Sequence, residues 1–183
     1  MSADISEIVP HREGGGLYLC GTRPLKRPAR DVEHRESIGA VVACMPRPPK
    51  QRMPIVGALP DRCHLIVALN KDKPWPPENA CVPLGDALRF IDEHRAAGRG
   101  VVVHCSAGKH RSATVVCAYL VHAGLAADMD GAVAHVRSRR GLVRPDDQAR
   151  PLWDSIDLGA GDVTRDSPRP NKRARAGGRA RVA

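Results

Sequence analysis

Aromatic side chains are scarce in this 183-residue chain, which holds two Trp, two Tyr and one Phe, 3% of its residues. A core of the size such a chain can bury must then be built mainly from Val, Leu, Ile and Ala. Long apolar runs are missing too: nothing approaches the roughly 18 consecutive apolar residues of a membrane-spanning helix. Residues 1–7 supply neither a basic segment nor an apolar block, so no secretory leader is expected. The six cysteines, at 20, 44, 63, 81, 105 and 117, follow no disulfide-framework spacing, and no Cys-x-x-Cys or His-x-x-x-His pair offers zinc ligands. These absences point to a reducing, intracellular compartment, cytoplasmic or nuclear, and to chemistry without a metal or other cofactor.

Against this background one stretch stands out, His104-Cys105-Ser106-Ala107-Gly108-Lys109-His110-Arg111-Ser112. The preceding Gly100-Val101-Val102-Val103 is short, apolar and β-branched, the pattern of a buried strand. The following run, Ala113 to Val121, is apolar throughout, long enough for a core helix, and closes at Gly124. A strand, a tight loop and a helix start gather backbone N–H groups around an anion. A thiol placed there is expected to titrate well below its usual value, making Cys105 a thiolate and hence a nucleophile. Arg111 offers a planar fork of donors that matches two phosphate oxygens at once and meets the charge that moves during transfer. Ala107 and Gly108 keep the loop slim, and Ser112 is expected to cap the helix and donate toward the sulfur.

This nonapeptide resembles the phosphate-binding loop of the cysteine-dependent protein phosphatases, in which His-Cys is followed by five residues, Arg, and Ser or Thr. The Ala-Gly pair and trailing Ser are most similar to the dual-specificity branch. The resemblance implies that Cys105 forms a phosphocysteine, that Arg111 binds the phosphoryl oxygens, and that Ser112 helps the thiolate leave in the second step. It also implies that His104 orders the loop and tunes the thiol, and that Ser106, Ala107, Gly108, Lys109 and His110 line the bound phosphate.

The leaving oxygen of a phosphoester needs a proton, and the family supplies it from an Asp some thirty residues before the Cys, on a loop after a strand. Here His64-Leu65-Ile66-Val67-Ala68-Leu69 reads as that strand and Asn70-Lys71-Asp72-Lys73-Pro74 follows it. Asp72, with the later Phe90-Ile91-Asp92, resembles the dual-specificity pattern and is taken as the general acid. Trp75-Pro76-Pro77-Glu78 is similar to the Trp-Pro-Asp loop of the tyrosine-specific branch without its Asp, which makes Glu78 the rival.

The alternation of strands and helices predicts an α/β fold: a central twisted sheet of four to five strands flanked by helices, with the loop at the carboxyl end of a strand. Leu17–Cys20 and Ile38–Cys44 read as further strands, with Ile5–Ile8 resembling the family's opening segment, and residues 21–37 as a helix or exposed connection. The prolines at 46, 48, 49, 54 and 60 suggest a long surface loop over 45–62. Residues 81–97 read as a helix with Val82, Leu88 and Ile91 inward, and 128–140 and 146–157 as two more.

A catalytic domain is thus expected over residues 1–158, followed by a different material. Residues 159–183 carry seven Lys and Arg against two Asp, +5 of the chain's net +9, with almost nothing to pack. Disorder is the default there, with weak contact to nucleic acid or another polyanion as one use of the charge. Asn171-Lys172-Arg173-Ala174-Arg175 is similar to a short nuclear-import signal.

The function expected is hydrolysis of phosphomonoesters, on phosphotyrosine and phosphoserine or phosphothreonine of proteins, through a phosphocysteine. The rival readings are a silent phosphate-binding module, a phosphatase acting on phosphoinositides or RNA 5′-phosphates, where Lys109 and His110 add positive charge, and, more distantly, a sulfurtransferase.

Overall fold

Short runs of β-branched and aliphatic residues pair into one mixed, five-stranded sheet. The computed structural model describes residues 5–11, 14–28, 31, 34–45, 53–69 and 77–145. Asp72, the expected helix at 146–157, the domain boundary at 158 and the basic tail fall outside them, and Glu78 and Val82 are described in backbone only.

Strand β1 (Ser6–Val9) lies antiparallel to β2 (Leu17–Gly21), which runs parallel to β5 (Gly100–Cys105). On the other side β5 pairs in parallel with β3 (Ile38–Ala43), and β3 with β4 (His64–Ile66), giving the order β1-β2-β5-β3-β4. Every residue of β5 is buried. A strand with parallel neighbours on both edges and cover on both faces has no solvent side, which is why its sequence is an unbroken apolar run.

Alternation along β5 divides the core in two. Val101, Val103 and Cys105 face the larger part, with Leu84, Ala87, Leu88 and Ile91 of α3 (Pro77–Ala96), most of α4 (Arg111–His122) and Ala132 and Val136 of α5 (Met129–Arg139). Val102 faces the smaller part, with Tyr18, Cys20, Val41, Met53 and Leu25 of α1 (Thr22–Leu25). The aliphatic core expected from the shortage of aromatics is present, and the hydroxyl of buried Tyr119 donates to Asp92 and accepts from Arg95.

Helix ends follow their sequence signals. Asp128 caps α5 by accepting from the Gly131 amide at 2.7 Å. Gly124, at φ +67°, closes α4 by sending the Leu125 amide back to the Leu120 carbonyl and its own amide to Val121. Helix α3 starts at Pro77, before the expected residue 81, because proline fits the first turn, where its missing N–H costs nothing.

Two expectations fail for physical reasons. The strand read over 64–69 ends at Ile66, because β3, its partner among the described residues, ends at Ala43, which pairs with Ile66. The described part of 45–62 is not all loop: Pro54 opens a helical turn, α2 (Pro54–Gly57), and Pro60 precedes a 3₁₀ turn at Asp61–Cys63. Prolines taken as breakers act here as helix starts.

Candidate active site

The carboxyl end of β5 delivers Cys105 to a five-residue loop, and α4 begins at Arg111 on its far side. Cys105 is only 3% exposed, whereas Ser106, Ala107, Lys109 and His110 are exposed, so the sulfur forms the floor of a loop open at its rim. Gly108 sits at φ +66°, which lets the backbone turn back on itself there.

The Ser112 hydroxyl donates to Cys105 Sγ at 3.2 Å. Burial is the largest single influence on this thiol and pushes its pKa up. The Ser112 hydroxyl, the Ser112 and Gly108 amides and the Arg111 charge together outweigh it, and the thiol titrates below its ordinary value. The other described thiols with a displaced pKa go the opposite way: burial takes Cys20 and Cys117 up to about 12 and Cys44 well above the ordinary range. Among the described thiols with a displaced pKa, Cys105 alone is lowered.

Arg111 is itself buried and donates through Nη1 to the Leu69 carbonyl at 3.2 Å. Leu69 stands three residues before Asp72 in the chain, so the guanidinium ties the phosphate loop to the stem of the segment carrying the expected acid.

Two expected roles need correction. Ser112 does not cap α4: His110 occupies the N-cap position without a side-chain bond, and the Ser112 hydroxyl is spent on the sulfur instead. The His104 ring does not tune the thiol: it is not among the groups that lower Cys105. Alternation turns its ring to the opposite face from the Cys105 side chain, where it is wholly buried. Burial pushes its pKa down to about 4, opposed by a hydrogen bond to the Cys105 backbone, so the ring is neutral at pH 7 and lends the thiol no charge. The His104 carbonyl accepts from the Cys44 amide at 2.7 Å and pins the strand end.

Residues far away in sequence complete the site. Gly21 pairs with Cys105, and the next residue, Thr22, donates its amide to the Ser106 carbonyl and its hydroxyl to the Cys105 carbonyl, each at 3.1 Å. No local spacing announces a partner 83 residues upstream. Among the described residues no group of three His, Cys, Asp or Glu side chains is placed to hold a metal ion, and no helix is long and apolar enough to cross a membrane.

Comparison with known proteins gives the same picture. The family model "Dual specificity phosphatase, catalytic domain" matches residues 26–154. A 69-residue stretch, 37% of the chain, is 44% identical to the dual specificity protein phosphatase Mpk3 of Drosophila melanogaster, of which it spans 16%. Among solved structures, human DUSP28 superimposes with a TM-score of 0.66 at 21% identity, over 84% of this chain and 93% of that one. The structure of PTPMT1 in complex with PI(5)P gives 0.62 at 21% identity, over 82% and 92%.

Proposed function

From its place in the dual-specificity phosphatase family, to which the chain belongs, we propose that it hydrolyses phosphomonoesters of phosphotyrosine and of phosphoserine or phosphothreonine in proteins. The observation that carries this reading is a buried thiol held below its ordinary pKa by Ser112 and two loop amides. Desolvation alone would have silenced it, as it silences Cys20 and Cys44.

In the first step Cys105 Sγ attacks phosphorus and the bond to the leaving oxygen breaks. Arg111 and the loop N–H groups hold the non-bridging oxygens, whose charge they stabilise through the transition state. Asp72 gives its proton to the leaving oxygen. In the second step water attacks the phosphocysteine, Asp72 takes its proton, and the sulfur departs as a thiolate that Ser112 stabilises by hydrogen bonding. A thiolate nucleophile needs a reducing surrounding, which supports an intracellular location.

A silent phosphate-binding module is the less economical reading, because binding alone requires neither a lowered thiol pKa nor a hydroxyl aimed at the sulfur. The test is release of phosphate from an aryl phosphate by reduced protein, followed by a panel of phosphopeptides, phosphoinositides and 5′-phosphorylated RNA. Turnover of the aryl phosphate and of the phosphopeptides supports the proposal. Inactive protein that binds phosphopeptides refutes it, and a preference for a lipid or RNA substrate refutes the substrate class.

A further inference from the structure

The amides of a phosphate loop face an anion only if its carbonyls are held facing away. In a trans peptide unit the C=O of one residue and the N–H of the next point in opposite directions, and no described peptide bond here is cis. Among the described residues, four carbonyls of this loop receive a donor from outside it. Those of Cys105 and Ser106 take the Thr22 hydroxyl and amide. The other two are gripped by one short segment after α5: Gly108 O accepts from Arg140 Nε at 3.1 Å, and Lys109 O accepts from the Arg144 amide at 2.9 Å.

Arg140 is the only charged side chain among these donors. It is buried, a position that costs free energy for a guanidinium and does not by itself favour stability. Its Nη1 donates to Ser6 Oγ in β1 at 3.2 Å, so it bridges the first strand and the loop. The segment bearing it is fixed: the Val143 amide donates to the Arg140 carbonyl at 3.0 Å, and Val143 is buried in the main core. A charged donor on the Gly108 carbonyl both fixes the orientation of that peptide unit and polarises the Lys109 N–H at its other end.

We infer that Arg140 is a positioning residue of the phosphate loop, holding the Gly108–Lys109 peptide so that the Lys109 amide points at the phosphoryl oxygens. The inference rests on the proposed phosphate-binding role of the loop. It separates two groups of amides: the Gly108 and Ser112 N–H groups serve the sulfur, whereas the Lys109 N–H serves the anion.

The experiment uses tungstate, a tetrahedral oxyanion, as the probe and requires no turnover. Calorimetry compares tungstate binding by the full chain and by Arg140→Met and Arg140→Lys. Alkylation of the Cys105 peptide against pH, read by mass spectrometry, follows the thiol in the same proteins. The Met variant is expected to bind tungstate about tenfold more weakly, the value of one lost donor. The Lys variant, which keeps a charged donor, should recover most of that affinity, and the midpoint of Cys105 alkylation should stay in place in both. Unchanged tungstate affinity in Arg140→Met overturns the inference, as does a parallel shift of thiol and anion readouts, the mark of general loop collapse. The wild-type chain gives a second test that no folding defect reaches: the Lys109 backbone amide resonance should move downfield on saturation with tungstate, and an unmoved resonance refutes the assignment. Wild-type protein that ignores tungstate would instead sink the proposed function itself.

Discussion

Gly108 presses its α-carbon so closely on the strand beside it that a Cβ there would stand 2.5 Å from the carbonyl carbon of Cys20. The same position has φ +66°, a left-handed conformation costing an L-residue about 1–2 kcal/mol. Backbone cannot yield as a flexible side chain would, so Gly108→Ala must deform the loop or part it from β2. The variant is expected to lose at least about 1–2 kcal/mol in urea unfolding and to lose tungstate binding. Normal anion binding in this variant would show that the loop does not need the observed turn.

Ser112→Ala removes the hydroxyl that donates to Cys105 Sγ, the strongest influence lowering that thiol. The thiol pKa then rises, and because the thiolate is the active form, the increase of kcat/KM with pH moves to higher pH. Loss of one hydrogen bond to a charged atom also predicts turnover lower by about 10- to 100-fold, with phosphocysteine accumulating because its departure slows. The pH profile and a burst measurement on an aryl phosphate check both effects.

His104 contributes to acid sensitivity. Its folded pKa is about 4 against an ordinary 6.5, so the unfolded chain binds the extra proton first. Stability is therefore complete above pH 6.5 and falls as pH drops toward 4, by about 3 kcal/mol once both forms are protonated. His104→Leu should flatten the difference between urea unfolding at pH 7 and at pH 4.5, whatever its effect on absolute stability. An unchanged slope would show that other groups govern acid unfolding.

Asp72→Asn should cut turnover about 100-fold or more on an alkyl phosphate, whose leaving oxygen needs a proton. The loss should be small on an aryl phosphate with a good leaving group. Equal losses on both substrates would move the role elsewhere, and Glu78→Gln is the variant to assay next.

The site was legible where its chemistry is contiguous. The nine residues from His104 to Ser112 contain the lowered thiol, the guanidinium, the turn and the hydroxyl, and the flanking apolar runs gave their strand and helix. The central strand was readable because burial on both faces leaves no polar position in it, and Gly124 marked the end of α4 as expected. What stayed hidden was the scaffold around the loop. Thr22 and Arg140 are single polar residues whose importance comes from strand register and from a turn after α5, neither of which leaves a local pattern. Only the thiol-tuning role read for His104 fails, because alternation along β5 turns its ring away from the Cys105 sulfur. The two proline-led turns were missed for a related reason, since proline both ends and begins helices and only the packing around it decides which.

The account depends on a covalent bond between phosphorus and one sulfur. Reduced protein mixed rapidly with an aryl phosphate and quenched in acid should carry a phosphoryl group on the Cys105 peptide, detected by mass spectrometry, and Cys105→Ser should show neither the adduct nor phosphate release. Phosphate released at the wild-type rate by Cys105→Ser would contradict the account outright.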